Sequence, residues 1–138
     1  MTCYLLDTHI FIWLLTDDDR LDKNIREDIE YFQYPYYVSI ETLREIVILQ
    51  SLNKITFDGG VEKIVNYLEK AQIQIMPIEI NHIKTLENLP IAKVDKRIHD
   101  DPFDRLLIAQ AIAEKFTIVS SDGKFLSYRD YGLKLLVN

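Results

Sequence analysis

Four acidic residues raise the chemical question: Asp7, Glu45, Asp104 and Asp122. Asp104 falls in the first turn of a predicted helix. Counting four and seven positions onward reaches Ile108 and Ala111, so its carboxylate shares the apolar, inward side. Glu45 shares a stripe with Ile48, Leu49 and Leu52 in the same way. A carboxylate on such a face needs a cation or a polar cleft, because burying it unpaired is costly. Asp7 closes the first predicted strand and Asp122 follows a later one, so both are available to the same crevice. Hard divalent cations take oxygen ligands. Two of them about 3.5 to 4 Å apart can orient an attacking water and neutralise the leaving oxygen of a phosphodiester. Metal-assisted phosphodiester hydrolysis is therefore the chemistry that suits this set, with one or two ions left open.

Each acid also has an ordinary reading. Asp7 can cap the helix that follows it, and Asp122 before Gly123 can be a turn aspartate. Asp104 can be the reciprocal member of a capping pair with Asp101, which is read first as a helix cap and second as an outer contact to a metal. Glu41, one helical turn before Glu45, is read as a first-turn acid favoured by the helix dipole.

The elements that must position these acids follow from hydropathy. Tyr4 to Asp7 reads as a short buried strand running into an apolar helix, Thr8 to Leu15. Asp17-Asp18-Asp19-Arg20 is a solvated break, and Leu21 to Phe32 has helical spacing. Tyr36 to Ser39 reads as a strand, with Ser39 capping a helix from Glu41 to about Leu52. Asp58 precedes a helix through Leu68, Ile73 to Ile78 is a strand, and Glu79 to Leu89 is a helix. Asp101-Pro102 opens a helix to about Lys115, Phe116 to Ser120 is a strand, Asp122-Gly123 a turn, and Leu135 to Val137 a last short strand. Alternating strands and helices predict an α/β fold with a mostly parallel sheet covered on both faces. Such sheets bind ligands at the carboxyl ends of their strands.

At 138 residues and 48% hydrophobic content the chain suits one folded unit, residues 1–138. Its start has no basic region followed by a long apolar one, and no run is long enough to span a bilayer, so a cytoplasmic location is expected. The single cysteine, Cys3, sits in the first apolar run and is read as a small buried hydrophobe. The net charge of −6 has the wrong sign for a broad nucleic-acid-binding surface. It becomes compatible with a polyanionic substrate if clustered acids carry divalent cations, which reverse the charge a phosphate meets.

Near the acids, Asp95 and Asp100 lie among Lys93, Lys96, Arg97 and His99 in what reads as a surface loop able to touch a polyanionic substrate. His99 and Arg105 are candidates for phosphate contact, and Arg105 alternatively for holding a neighbouring acid. Tyr31, Phe32, Tyr34, Tyr36 and Tyr37 concentrate around Pro35, read as core and strand packing with a partner groove as the alternative.

Four segments together resemble the PIN-domain ribonucleases, and within them the VapC-like toxins of bacterial toxin-antitoxin pairs. They are Leu5-Leu6-Asp7-Thr8-His9; Val38-Ser39 with Leu43-Arg44-Glu45-Ile46; the long run from His99 through Asp104 to Ala111; and Ile118-Val119-Ser120-Ser121-Asp122. The third is the most specific, and the four span nearly the whole chain. The resemblance implies a PIN-like three-layer α/β/α sandwich. It further implies Asp7, Glu45, Asp104 and Asp122 as metal-binding and catalytic acids, with Thr8 and Ser120 as supporting polar groups and Mg²⁺ or Mn²⁺ as the ion. Its implied substrate is RNA, and its implied partners are a cognate antitoxin, bound in part through an amphipathic helix, and a second copy in a homodimer formed outside the cleft. Ser120 stands where the family often has Thr, which keeps the hydroxyl.

Rival readings fail on particulars. A receiver-like phosphoacceptor domain wants an acid pair after its first strand and an aspartate ending its middle strand. Here Thr8 follows Asp7, and Ile73-Gln74-Ile75-Met76-Pro77 has no acid. A haloacid-dehalogenase-type phosphatase wants Asp two residues after the nucleophile, where His9 stands. A non-catalytic PIN scaffold is disfavoured because all four acids are retained.

Overall fold

The first strand is apolar on both sides of its backbone, and the fold uses both sides. In a computed structural model describing residues 1–91, 93–94 and 97–138, β1 (Tyr4–Leu6) turns Leu5 into one apolar cluster and Leu6 into another. Side chains alternate across a strand, so this split is what a sheet covered on both faces requires. β6 (Thr117–Ser120), paired with β1, repeats the pattern: Ile118 joins Leu5 while Val119 joins Leu6.

Five strands complete the sheet in the order β3-β2-β1-β6-β7, every neighbouring pair parallel. Here β2 is Tyr36–Ser39, β3 Gln74–Met76 and β7 Lys134–Val137. One face carries α1 (Thr8–Leu15), α2 (Lys23–Glu30), α3 (Ile40–Ser51) and α4 (Gly60–Ala71), packed through residues such as Phe11, Ile25, Ile46 and Leu68. The other face carries α6 (Pro102–Glu114) and a 3₁₀ helix (Gly123–Tyr131) through Leu107, Ile108, Phe125 and Tyr128; Leu89, just past α5 (Ile80–Asn88), joins the same cluster. The expected three-layer α/β/α sandwich is the architecture observed.

The chain builds outward from β1 to β2 and β3, then returns to place β6 and β7 on the other side of β1. The carboxyl ends of β1 and β6 therefore flank the point where strand order reverses, the usual crevice of an open parallel sheet. Asp7 leaves β1 there, and Ser120 ends β6.

Several boundaries differ from expectation for local reasons. The second helix is shorter than Leu21 to Phe32. Asp22 caps it by accepting from Asn24 N and Ile25 N, Tyr31 closes it, and Phe32 adopts a left-handed φ of +55°. Asp122-Gly123 is more than a turn: it opens the nine-residue 3₁₀ helix, whose Phe125 and Tyr128 are fully buried. The segment read as a surface loop contains an antiparallel ribbon, β4 (Lys93–Val94) with β5 (Arg97–Ile98). Asp95 and Lys96 lie outside the described residues. The aromatic concentration divides. Tyr36 is buried and Tyr37 half-buried, whereas Tyr31, Phe32 and Tyr34 are exposed, the last two beside a cavity of about 290 Å³. Cys3 is half-buried and unpaired. Among the described residues no helix is long and apolar enough to cross a membrane.

Candidate active site

Asp7 combines its ordinary role with a place in the crevice. It caps α1, Oδ1 accepting from Thr8 N at 2.7 Å, while Oδ2 accepts from the Ser120 hydroxyl at 2.8 Å across the β1–β6 seam. Its backbone N–H donates to Val119 O, so both ends of the residue are fixed. Burial raises the Asp7 pKa, and the Ser120 hydroxyl opposes that rise. Ser120 also accepts from Asp122 N at 3.0 Å, so one hydroxyl links two of the candidate acids.

Thr8, the other predicted supporting group, places its hydroxyl 3.2 Å from that of Thr42, joining α1 to α3. Thr42 is fully buried and was not singled out from the sequence. Its only signal is a polar residue on the inward side of α3. Glu45 lies one turn further along this helix, half-buried. Its pKa is raised by burial and by Asp101 and Asp7, with the Thr8 hydroxyl pulling the other way. Glu41 is held apart from this group: it is buried, its N–H donates to the Ser39 cap, and its carboxylate pairs with Arg44.

Asp101 is the cap of α6, its Oδ1 accepting from Phe103 N at 2.9 Å and Asp104 N at 3.0 Å, with Pro102 at the first helical position. The Asp104 carboxylate does not reciprocate. Oδ2 meets His99 Nε2 at 3.2 Å, and the other ring nitrogen meets the Tyr128 hydroxyl at 3.0 Å. Burial pushes the Asp104 pKa up to about 8, with further contributions from Asp7, Asp101, Glu45 and Asp122.

His99 is buried and supports Asp104, which replaces the expected role in phosphate contact. The sequence signal was its place five residues before Asp104, an approach to the same cap from the other side. Arg105 is likewise turned from both roles expected of it. Its guanidinium donates to Leu89 O at 2.8 Å, Pro90 O at 3.1 Å and the Tyr128 hydroxyl at 3.2 Å. It fastens the end of α5 and the 3₁₀ helix to α6. Asp122 caps the 3₁₀ helix, Oδ1 accepting from Lys124 N at 2.9 Å.

The fold thus brings Asp7, Glu45, Asp104 and Asp122 to one edge of the sheet, near enough that Asp104 feels the charge of the other three and of Asp101. Their hard oxygen donors and unrelieved mutual repulsion fit a divalent cation in chemistry and charge. As placed, however, no three candidate ligands among the described residues form an ion-holding group. The physical reason is visible in their bonds. Asp7 is turned to Thr8 and Ser120, Asp104 to His99, and Asp122 to Lys124. Holding an ion asks some of these oxygens to exchange protein donors for metal.

Among curated proteins, none is matched by the sequence. The fold is similar to VapBC2 from Rickettsia felis, bound to a DNA fragment from their promoter, at TM-score 0.70 and 18% identity over 99% of both chains. It is also similar to DNA-bound VapBC from Salmonella typhimurium, at TM-score 0.65 and 14% identity over 99% of this chain and 98% of that one. VapBC-1 from nontypeable Haemophilus influenzae gives TM-score 0.64 and 16% identity over 99% and 98%. Identities this low speak to the fold. The model of the PIN domain matches residues 4–131, nearly the full length, and the chain belongs to the PIN domain family.

Proposed function

We propose that this PIN domain is a metal-dependent endoribonuclease that hydrolyses RNA phosphodiester bonds, acting in the cytoplasm as the toxin of a toxin-antitoxin pair. The observation that carries the reading is the placement of Asp7 at the end of β1, linked through the Ser120 hydroxyl to Asp122 past β6, with Asp104, held by His99, and Glu45 near enough to add their charge there. A fold that crowds acids at the mouth of its sheet gives up stability there, which a bound cation restores.

Asp7, Glu45, Asp104 and Asp122 would hold Mg²⁺ or Mn²⁺, with Asp101 contacting its water shell. The ion supplies Lewis acidity and the positive charge that lets a phosphate approach an acidic cleft. Thr8 and Ser120 orient Glu45 and Asp7, and His99 orients Asp104, so each carboxylate arrives with one oxygen already directed. The antitoxin reading draws on the fold neighbours, which are VapBC complexes. A homodimer formed outside the cleft completes the proposal.

The test is incubation of a labelled structured RNA with the purified chain and Mg²⁺ or Mn²⁺, with and without chelator, beside Asp104→Asn. Cleavage confined to the parent protein with metal supports the reading. Cleavage that persists in excess chelator, or in the folded variant, overturns it.

A further inference from the structure

Arg44 stands where α3 meets the first turn of α6, held at two points without exhausting its donors. Its Nε donates to Glu41 one turn earlier, and its Cζ lies 5.0 Å from the centroid of the Phe103 ring. Glu45 is its chain neighbour, and Phe103 precedes Asp104, so Arg44 bridges the two helices that carry these acids. The Arg44 side chain remains 60% exposed, while that of Glu41 is 8% exposed. A buried carboxylate explains why a cation is present but not why it lies over an aromatic ring of the neighbouring helix. Contact with the Phe103 ring, together with the bond to Glu41, removes part of the guanidinium's freedom in advance. Its terminal nitrogens, Nη1 and Nη2, have no hydrogen-bond acceptor among the described residues.

A planar, oriented fork with two unused ends matches the non-bridging oxygens of a phosphate. The chain carries a net charge of −6, so a fixed cation beside its acids has particular value to an approaching polyanion. We infer that Arg44 is a substrate-binding residue that takes, on its terminal N–H groups, an RNA phosphate next to the scissile one. This rests on the ribonuclease reading. The competing role, a counter-ion for Glu41 alone, makes different predictions.

Binding of a short single-stranded RNA is measured in Mg²⁺ as a function of salt, using Asp104→Asn protein so that the strand survives. Adding Arg44→Gln weakens binding about tenfold, as expected for a lost charge-assisted contact. It also flattens the slope of log K against log salt by about 0.7, the single-strand value for one phosphate. Glu41→Gln with Arg44→Gln, which leaves no unpaired buried charge, gives the same flattening in a protein that keeps its fold. RNA with one neutral methylphosphonate at the contacted linkage binds the Asp104→Asn protein more weakly, and loses nothing further against Arg44→Gln. In the active background Arg44→Gln raises KM while kcat stays within about twofold. An unchanged salt slope, with only the melting temperature lowered, assigns Arg44 to Glu41 and overturns the inference while leaving the nuclease standing. A parent protein that neither binds nor cleaves RNA in Mg²⁺ overturns both.

Discussion

His99 Nε2 stands 3.2 Å from Asp104 Oδ2, with the opposite ring nitrogen 3.0 Å from the Tyr128 hydroxyl. Burial and the nearby Lys124 lower the His99 pKa, which favours the neutral ring, so it aims the Asp104 carboxyl by a hydrogen bond rather than by an ion pair. His99→Ala should therefore raise the Mg²⁺ concentration needed for cleavage by about 10- to 100-fold, the usual cost of losing a ligand's orienting partner. A Mg²⁺ titration of cleavage checks this. A variant that keeps the parent's metal requirement would reduce His99 to a packing residue.

The same carboxyl makes stability depend on pH. Asp104 titrates near 8 in the fold against an ordinary 3.8. Its stabilising contribution is complete below the unfolded value and is lost as pH climbs through the folded one, because the unfolded chain releases its proton first. Asp7 and Glu45, also raised, act with the same sign. In chelator, the melting temperature should fall from about pH 5 to about pH 8. Asp104→Asn should flatten that fall and melt no lower than the parent. Added Mg²⁺ should stabilise the parent more at the alkaline end. A metal-free melting temperature that rises over this range would contradict the crowding of acids.

Ser120 supports two acids with one hydroxyl, on Asp7 Oδ2 and Asp122 N. Ser120→Ala leaves a buried carboxylate oxygen without its donor and should destabilise by about 1 to 3 kcal/mol. Cleavage should fall with it, and Ser120→Thr should restore most of both. Chemical denaturation beside initial rates separates the two effects; equal failure of Thr and Ala would show that space, not the hydroxyl, matters.

Arg105 bonds backbone carbonyls and a phenol, so its removal should be felt in the fold. Arg105→Ala should lower unfolding free energy by about 1 to 3 kcal/mol and leave the Mg²⁺ dependence of cleavage unchanged. Denaturant titration measures the first and the metal titration the second. Lost RNA affinity at full stability would return Arg105 to the role of a phosphate contact.

Much of the fold was legible because local chemistry and global arrangement agree. Leu5-Leu6 and Ile118-Val119, apolar at consecutive positions, announce strands buried on both faces, and Ser39 and Asp101-Pro102 mark helix starts. The 3₁₀ helix was not legible. Its Phe125 and Tyr128 are three apart, a spacing that a nine-residue segment with a low-apolar sequence does not distinguish from a turn. The ends of α2 were lost for a similar reason, since Leu21 is buried just before its cap and continues the helical pattern.

From its residues alone, this chain determined an α/β sandwich and which acids reach the mouth of its sheet. Strand periodicity and helix caps are local, and each acid follows one of them. What those acids lean on was decided only by the tertiary structure. Ser120 crosses to Asp7 over 113 positions, Thr8 meets Thr42 over 34, and Tyr128 reaches back 29 to the ring that steadies Asp104. Such contacts depend on strand order and on which face each helix covers, and neither quantity is written in the spacing of any one segment.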